Sequence, residues 1–286
     1  MIYVSSSCIQ AETIRESVTT LSEAGFKNIE LSSGTSFYPE YESDLLRLQE
    51  KYELNFLVHN YFPPSKKPFV LNLASLNDEI FDHSIKHCKK AIDLSRKLCA
   101  KRYGVHAGFL IDIEIYEIGK QISFTDLSDR KRAINRFRQA WEKLVYEAED
   151  NPALYIENNV LSKTNVNTFK GNNPFLFTDY KGYLELNDHM VFRPLLDLAH
   201  LKVSANSLGL DLVSEVKQLL PLTDYIHVSE NDGLHDQNKE LSSGGNILND
   251  LKDFDFKSKI VVLEICQDLD LIKLSYSVIE QYLGIN

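Results

Sequence analysis

Acidic and imidazole side chains stand at the ends of short apolar runs in this sequence. Three carboxylates interrupt such runs: Glu157 in YIEN, Asp197 in LLDLAH and Glu264 in VVLEI. Burying a lone carboxylate there is unfavourable unless a cation or a hydrogen-bond network compensates it. Five of the eight histidines occupy similar positions: His59, His106, His200, His227 and His235. Because imidazole and carboxylate together suit Zn, Mn, Co or Fe, the pattern predicts a bound divalent metal.

Each of these residues taken alone also has a structural interpretation. A single histidine at a strand end is commonly a hydrogen-bonded structural residue, and a buried carboxylate can pair with Arg or Lys. Arg and Lys are nearly absent from these positions, which favours a metal over a protein cation. His83 and His87 are spaced i, i+4 in a charged segment, where we expect a solvated helix face rather than a chelating pair.

Short β-branched or aromatic runs alternate along the chain with stretches of helical periodicity. Strands are predicted near residues 2–8, 28–32, 54–60, 102–107, 153–158, 193–198, 224–229 and 259–265. Helices are predicted near residues 11–24, 42–52, 76–99, 128–149, 178–188, 209–220, 246–252 and 270–283. This alternation indicates an α/β fold with a parallel sheet, and eight units in 286 residues favour a closed (β/α)8 TIM barrel. We expect a single domain over residues 1–286.

The same elements bring the reactive side chains together. In a TIM barrel the carboxyl ends of the strands converge on one mouth, where catalytic residues collect. A dinucleotide-binding fold is disfavoured because the first strand is followed by SSSCIQAET and not by GxGxxG. The predicted metal site therefore lies at the barrel mouth.

Composition excludes several classes of partner. The formal net charge is −10, so we expect neither nucleic acid nor an anionic membrane as a partner. The four cysteines are scattered and form no CxxC pair, which favours reduced thiols over a structural zinc site or a disulfide framework. The N-terminal residues MIYVSSSCIQ do not resemble a signal peptide and no apolar run is long enough to span a membrane, so we expect a cytoplasmic protein.

The short motifs together resemble a known family. They are LVHN (His59), YGVHAG (His106), YIENN (Glu157), LLDLAH (Asp197, His200), YIHVSENDG (His227), HDQN (Asp236, Asn238) and VVLEI (Glu264). In this order they resemble the xylose isomerase-like barrel superfamily, which comprises sugar and sugar-phosphate isomerases and epimerases together with endonuclease IV. The resemblance implies that Glu157, Asp197, His227 and Glu264 hold one divalent metal (Zn, Mn, Co or Mg).

Endonuclease IV adds ligands to this core and forms a trinuclear zinc site. By resemblance, His59 and His106 match two of the added ligands, and His200, Asp236 and residue 238 match the ligands of the third metal. The family has Asp-x-His where this chain has Asp236-Gln237-Asn238, and an amide oxygen is a poor substitute for imidazole toward zinc. The glycine-rich stretch that follows in the family corresponds to LSSGG at 241–245.

Three functions remain open on this basis. The first is an isomerase or epimerase of a sugar, sugar phosphate or related polyol, in which Glu157 and Glu264 transfer a proton and enediolate-like charge is stabilised by the metal. His200 would orient a substrate hydroxyl, and Asn158, Asn159, Lys163 and Lys170 would contact substrate. The second is an endonuclease IV-like phosphodiester hydrolase acting on abasic DNA, which the charge and Asn238 disfavour. The third is a non-catalytic barrel, disfavoured because every core ligand is present. A homo-oligomer remains open.

Overall fold

Eight parallel strands form a closed barrel in chain order, and the last strand pairs with the first. The structure, a computed structural model, describes residues 1–242 and 247–285. The strands are β1 (Ile2–Ser5), β2 (Asn28–Leu31), β3 (Asn55–His59), β4 (Arg102–His106), β5 (Ala153–Glu157), β6 (Arg193–Asp197), β7 (Tyr225–Val228) and β8 (Ile260–Leu263). The predicted single-domain (β/α)8 barrel is therefore confirmed.

Helices surround the barrel. They are α1 (Ile14–Glu23), α2 (Tyr41–Tyr52), α3 (Asp78–Lys97), α4 (Arg130–Ala148), α5 (Lys163–Thr168), α6 (Tyr180–Asn187), α7 (Leu198–Leu208), α8 (Leu212–Leu219), α9 (Ile247–Asp250) and α10 (Leu269–Leu283). Short 3-10 turns occupy Ser6–Cys8, Ile115–Glu117 and Leu220–Leu222. Within the described ranges, no helix is both long enough and apolar enough to cross a membrane.

Two helices differ from the sequence-based prediction. Helix α7 begins directly after β6, where no helix was expected, and α5 lies in the polar insert after β5. Helix α7 was missed because eight of its eleven residues are buried, so its sequence LAHLKVSANSL shows no clear polar face. The helix predicted over 246–252 is observed as α9, and its first predicted residue, 246, lies outside the described residues.

Side chains inside the barrel alternate along each strand and form layers. Tyr155, Leu195 and Tyr225 belong to a small buried cluster within the barrel, whereas their neighbours Ile156, Leu196 and Ile226 pack in the larger core with the helices. Because side chains of a strand change face at every residue, the inward positions recur every second residue. The next inward position in each case carries a functional group: Glu157, Asp197 and His227.

The helical histidines differ from the predicted solvated face. His83 is exposed and stacks on Phe69, with ring centroids 4.1 Å apart. His87 is buried, and its Nε2 donates to the Asn60 carbonyl at 3.2 Å. The prediction was therefore wrong for His87, because the loop after β3 covers this side of α3 and supplies an acceptor.

Candidate metal centre

His227 lies at the centre of the polar layer of the barrel and is fully buried. Its Nδ1 lies 3.0 Å from Oε2 of Glu264 and 3.4 Å from Oε1 of Glu157. Its Nε2 lies 3.1 Å from Oε2 of Glu30 on β2. Nε2 of His227 thus faces the carboxylate of β2, whereas Nδ1 faces the carboxylates at the ends of β5 and β8.

Glu157 joins His227 to two further histidines. Its Oε2 lies 2.6 Å from Nε2 of His59 and 3.3 Å from Nε2 of His106. The inward position before His106 on β4 is Gly104, and a Cβ there would lie 2.6 Å from Cδ1 of Leu195 and 3.2 Å from Cδ2 of His59. The glycine therefore leaves the space that the His59 ring occupies beside Glu157.

His200 and Asp236 form an adjoining pair. His200 lies in the first turn of α7, and its Nε2 is 3.3 Å from Oδ2 of Asp236. Its Nδ1 is 3.0 Å from the Asn158 carbonyl and 3.7 Å from Oε1 of Glu157. The pair therefore borders the carboxylate that the other histidines share.

Three overlapping groups in the described residues have ligand atoms close enough together to hold a metal ion. They are Glu157–Asp197–His227, His59–His106–Glu157 and Glu30–His59–His227–Glu264, in each of which the ligand atoms lie within 4.8 Å of one another. The four ligands implied by the family resemblance are thus neighbours, with Glu157 and His227 shared between groups.

Unpaired polar atoms support a cation at this position. Oε1 of Glu157, Oε1 of Glu30 and Oδ1 of Asp236 are buried and have no hydrogen-bond partner. Buried polar atoms are normally satisfied, and lone pairs that converge without a donor are what a metal ion requires. The donor set of imidazole nitrogen and carboxylate oxygen therefore fits a divalent cation.

The carboxylates of this site differ in proton affinity. Burial raises the pKa of Glu157, but the imidazoles of His106, His59 and His227 outweigh burial and hold that pKa well below its usual range. Burial is likewise outweighed at Glu264, where the hydrogen bond from His227 contributes most, and its pKa falls to about 2. The pKa of Asp197 is raised instead.

Burial raises the pKa of Asp197 to about 7, with Glu157 adding to this and His200 opposing it. Burial also lowers the pKa of His106 to about 4, against the attraction of Glu157. For His227 the order is reversed, because Glu30 and Glu157 outweigh burial and raise its pKa well above the usual value. The site thus combines ionised carboxylates with one carboxyl group and one imidazole of reduced charge near neutral pH.

Glu30 was not identified from the sequence. It is fully buried, and its Oε2 accepts hydrogen bonds from the Tyr225 hydroxyl and from His227. It lies in NIEL, where an acidic residue between two apolar ones resembles ordinary strand alternation. Glu30 could have been identified by assigning the inward-facing positions of β2, since the other strands also place polar residues at this level of the barrel.

Other residues named from the sequence occupy distinct surroundings. Asn158 is buried and exchanges two hydrogen bonds with the backbone of Asp197, at 3.0 and 2.8 Å. The Lys163 ammonium donates to the Ser207 carbonyl at 3.3 Å, and that of Lys170 lies over the Phe124 ring. Asn158 thus contacts the backbone of Asp197, and each lysine contacts a neighbouring helix or loop.

The segment after β7 carries the last predicted residues. Asn238 has a positive φ of 45°, and its Oδ1 accepts from Ser229 at 3.2 Å. His235 is exposed and pairs with Asp232 at 3.2 Å. Of the LSSGG stretch, residues 243–245 lie outside the described residues.

Comparison with known proteins identifies the family of this fold. The family described as xylose isomerase-like TIM barrel matches residues 18–282. A search of curated proteins gives no match. Among solved structures, a D-tagatose 3-epimerase-like protein superposes with a TM-score of 0.71 at 19% identity, covering 99% of this chain and 97% of that one.

Two further structures share the fold. Endonuclease IV from Thermus thermophilus has a TM-score of 0.64 at 14% identity, covering 100% of this chain and 99% of that one. The 3-keto-D-glucoside 4-epimerase from E. coli has a TM-score of 0.65 at 11% identity, covering 99% and 98%. At these identities the structural likeness shows the fold, while the family match extends over most of the sequence. The chain therefore belongs to the xylose isomerase-like TIM barrel family.

Proposed function

We propose that this protein is a divalent-metal-dependent epimerase or isomerase acting on a keto sugar or related polyol. The observation that carries the proposal is the set formed by Glu157, Asp197, His227 and Glu264, whose inward-facing atoms include unpaired ligand positions. The epimerases among the structural neighbours act on small carbohydrates according to their names, which supports this substrate class. A second sugar class, the sugar phosphates, belongs to the same proposal.

A bound divalent metal would supply polarisation of a substrate carbonyl and its neighbouring hydroxyl, and so acidify the C–H bond between them. The residues that transfer the proton are Glu157 and Glu264. The surrounding imidazoles hold both pKa values low, so both carboxylates are ionised at neutral pH. The one that acts as the base would be loosely bound to the metal or would use its free oxygen.

The position of the two carboxylates favours epimerisation. Glu157 ends β5 and Glu264 follows β8, and two strands lie between these elements in the barrel. Both carboxylates lie beside Nδ1 of His227, at 3.4 and 3.0 Å, but they reach it from separate strands. Epimerisation removes a proton from one face of a carbon and returns one to the other face, which two separate carboxylates can accomplish.

Neighbouring residues prepare the site for this reaction. His200 is held by the Asn158 carbonyl and by Asp236, so its ring can orient a substrate hydroxyl. Substrate contacts by Asn158, Lys163 and Lys170 remain part of the proposal, and they would require these side chains to exchange their present partners for the substrate.

Solvent deuterium exchange tests the proposal directly. The metal-loaded protein is incubated in D2O with a panel of ketohexoses, and deuterium at the carbon next to the carbonyl is measured by mass spectrometry. We expect exchange into at least one sugar, abolished by chelation. Absence of exchange across the panel, together with absence of tight metal binding, would contradict the proposal and favour a non-catalytic barrel.

One observation supports a second candidate, a hydrolase of the endonuclease IV type. The His59–His106–Glu157 group offers a further set of ligands beside the first, and paired metals suit phosphodiester hydrolysis. Asn238 and the net charge of −10 count against it. Metal analysis showing two or three zinc ions per chain, with nicking of an abasic DNA duplex, would establish this candidate over the epimerase.

A further inference from the structure

A cavity of about 380 Å³ opens beside the metal centre, between the loops that follow β4 and β5. His106 and Asp236 line its inner end, so a molecule held by the metal ligands can extend into it. Hydrogen bonds fix the two loops to each other: Leu110 donates to the Pro174 carbonyl at 2.7 Å, and Leu176 donates to the Gly108 carbonyl at 2.9 Å. The cavity is therefore built into the fold.

The outer part of the cavity is mainly apolar. Its walls include Phe109, Ile113, Ile122, Val160 and Phe175. Four of these side chains belong to a separate hydrophobic cluster formed by the two loops, with Leu161 and Phe169 at its base. Ligand pockets of this kind bury the apolar part of a molecule and use a few polar groups to orient it.

Two buried asparagines of the lining are already satisfied by the protein. The Asn165 side chain accepts from the Ile122 amide and donates to the Lys120 carbonyl. The Asn159 amide donates to the carbonyls of Ala107 and Leu176. These groups hold the loops together and offer little hydrogen bonding to a ligand.

Unsatisfied polar atoms lie instead at the inner end. Oδ1 of Asn60 is buried without a partner, its residue is 5% exposed, and it lines the cavity. Oδ1 of Asp236 is likewise buried and unpaired. The cavity thus has a polar end at the metal centre and an apolar end away from it.

The charge of the lining argues against a phosphate at the apolar end. Among the described residues, the lining contains no arginine and one lysine, Lys120. The lysine-rich cavity of the chain, which includes Lys66, Lys67, Lys86, Lys89 and Lys90, shares no residue with this one. Sugar hydroxyl groups that faced Phe109, Ile113 and Phe175 would find no partners on these side chains, which is unfavourable.

We infer that the substrate is a hydroxy-ketone sugar that carries an apolar substituent of about the size of a benzyl or phenyl group, remote from the reacting carbon. Its polyol end lies against Asn60, Asp236 and the metal ligands, and its apolar end lies among Phe109, Ile113 and Phe175. This inference rests on the proposed function for the reacting end of the molecule and on the cavity for the other end.

Paired ligands test the inference. Each of several ketohexoses is compared with its own 6-O-benzyl ether, first by calorimetric binding to the metal-free and the metal-loaded protein. Burial of the ring should make the ether bind about tenfold to a hundredfold more tightly than the parent sugar in at least one pair. If no ether binds more tightly than its parent, the inference is wrong, whatever the turnover.

Two variants locate the preference within the cavity. Ile113 is half-buried in the lining, and Ile115, which is 49% exposed, lies outside it. Ile113→Asn should lower the benzyl preference by about threefold or more, whereas Ile115→Asn should leave this preference unchanged. Equal effects of both variants would place the benzyl group elsewhere and overturn the inference.

Deuterium exchange separates this inference from the proposed function. Tight binding of the ethers without metal binding or exchange into any sugar would preserve the apolar subsite and contradict the epimerase. Exchange into both members of each pair with equal kcat/KM and equal affinity would preserve the epimerase and contradict the subsite.

Discussion

The His227 ring is held between carboxylates on both sides, and this arrangement determines which nitrogen can bind a metal. Nε2 donates to buried Glu30, so a metal that displaced the Nδ1 proton would bind the lone pair that faces Glu157 and Glu264. A carboxylate that accepts the second N–H of a ligating histidine fixes the tautomer and the ring orientation and increases the basicity of the ligand nitrogen. Glu30 is therefore a positioning residue for the proposed metal.

Replacement of this carboxylate should weaken metal binding. We predict that Glu30→Gln lowers the affinity for Mn²⁺ or Co²⁺ about tenfold to a hundredfold, because the amide is a weaker acceptor for His227. Calorimetric titration measures the affinity, and the Co²⁺ absorption spectrum reports the ligand geometry. The matched control is Glu50→Gln on exposed α2, and equal affinities in the two variants would show that Glu30 has no such role.

The proton-transfer role of Glu264 leads to a second prediction at the residue scale. Glu264→Gln keeps the size of the side chain and its hydrogen-bonding capacity toward Ser7 but cannot accept a proton. We expect solvent deuterium exchange to fall by about 10²- to 10⁴-fold. The circular dichroism spectrum should remain that of the wild type.

A melted barrel in Glu264→Gln would assign this residue a structural role instead. The Glu50→Gln variant again serves as the control, because Glu50 is solvent-exposed on α2 and belongs to none of the three ligand groups. Full exchange activity in Glu264→Gln would remove Glu264 from the reaction.

Sequence patterns located most of the site but not all of it. Glu157, Asp197 and Glu264 were recognisable because a carboxylate is conspicuous in an apolar strand. Glu30 was not recognised, because the alternation in IEL is typical of a strand with one solvated face. In the closed barrel this face points inward. Proximity through space, and not residue type, distinguishes Glu30 from an exposed strand glutamate.

Elements were predicted unequally for a related reason. All eight strands were foreseen, because their β-branched and aromatic runs are short and bounded by polar segments. Helix α7 was missed because it packs on most of its surface, which removes the amphipathic pattern. His87 was misplaced because α3 is covered by the loop after β3, a contact that periodicity within α3 does not contain.

The burial of His87 makes the stability of α3 depend on pH. Burial lowers the pKa of His87 from its ordinary value of 6.5 to about 4, with His83 and Lys90 acting in the same direction. The folded state therefore binds fewer protons than the unfolded state between these values. The contribution of neutral His87 to the free energy of unfolding is complete above pH 6.5. It decreases by up to about 3 kcal/mol as the pH falls toward 4.

Replacement of His87 should remove this dependence. Between pH 7.5 and 4.5 the free energy of unfolding of His87→Gln should fall by about 2 kcal/mol less than that of the wild type, as measured by urea denaturation. His106 titrates in the same range but is present in both proteins, so its effect cancels. His83→Gln on the exposed face of α3 should behave as the wild type, and an identical pH slope in His87→Gln would refute the assignment.

At the scale of the whole molecule, the metal centre connects distant parts of the chain. Its candidate ligands come from β2 to β8, and β8 closes the barrel against β1. Without a cation, several buried carboxylates converge there and repel one another, and among the described residues it is imidazoles that offset their charge. Metal binding should therefore stabilise the barrel as one unit.

Thermal unfolding of the metal-free and metal-loaded protein tests this coupling. Removal of the metal with a chelator should lower Tm, and metal at about a thousandfold above its Kd should restore about 4 kcal/mol, a shift on the order of 10 °C. Because the ligands span the barrel, we expect one cooperative transition in both states. If the site selects metals that accept nitrogen ligands, Mg²⁺ should produce no shift in Tm. Two separate transitions, only one of them sensitive to metal, would show instead that residues 1–286 do not fold as a single domain and that the centre stabilises only its own part of the sheet.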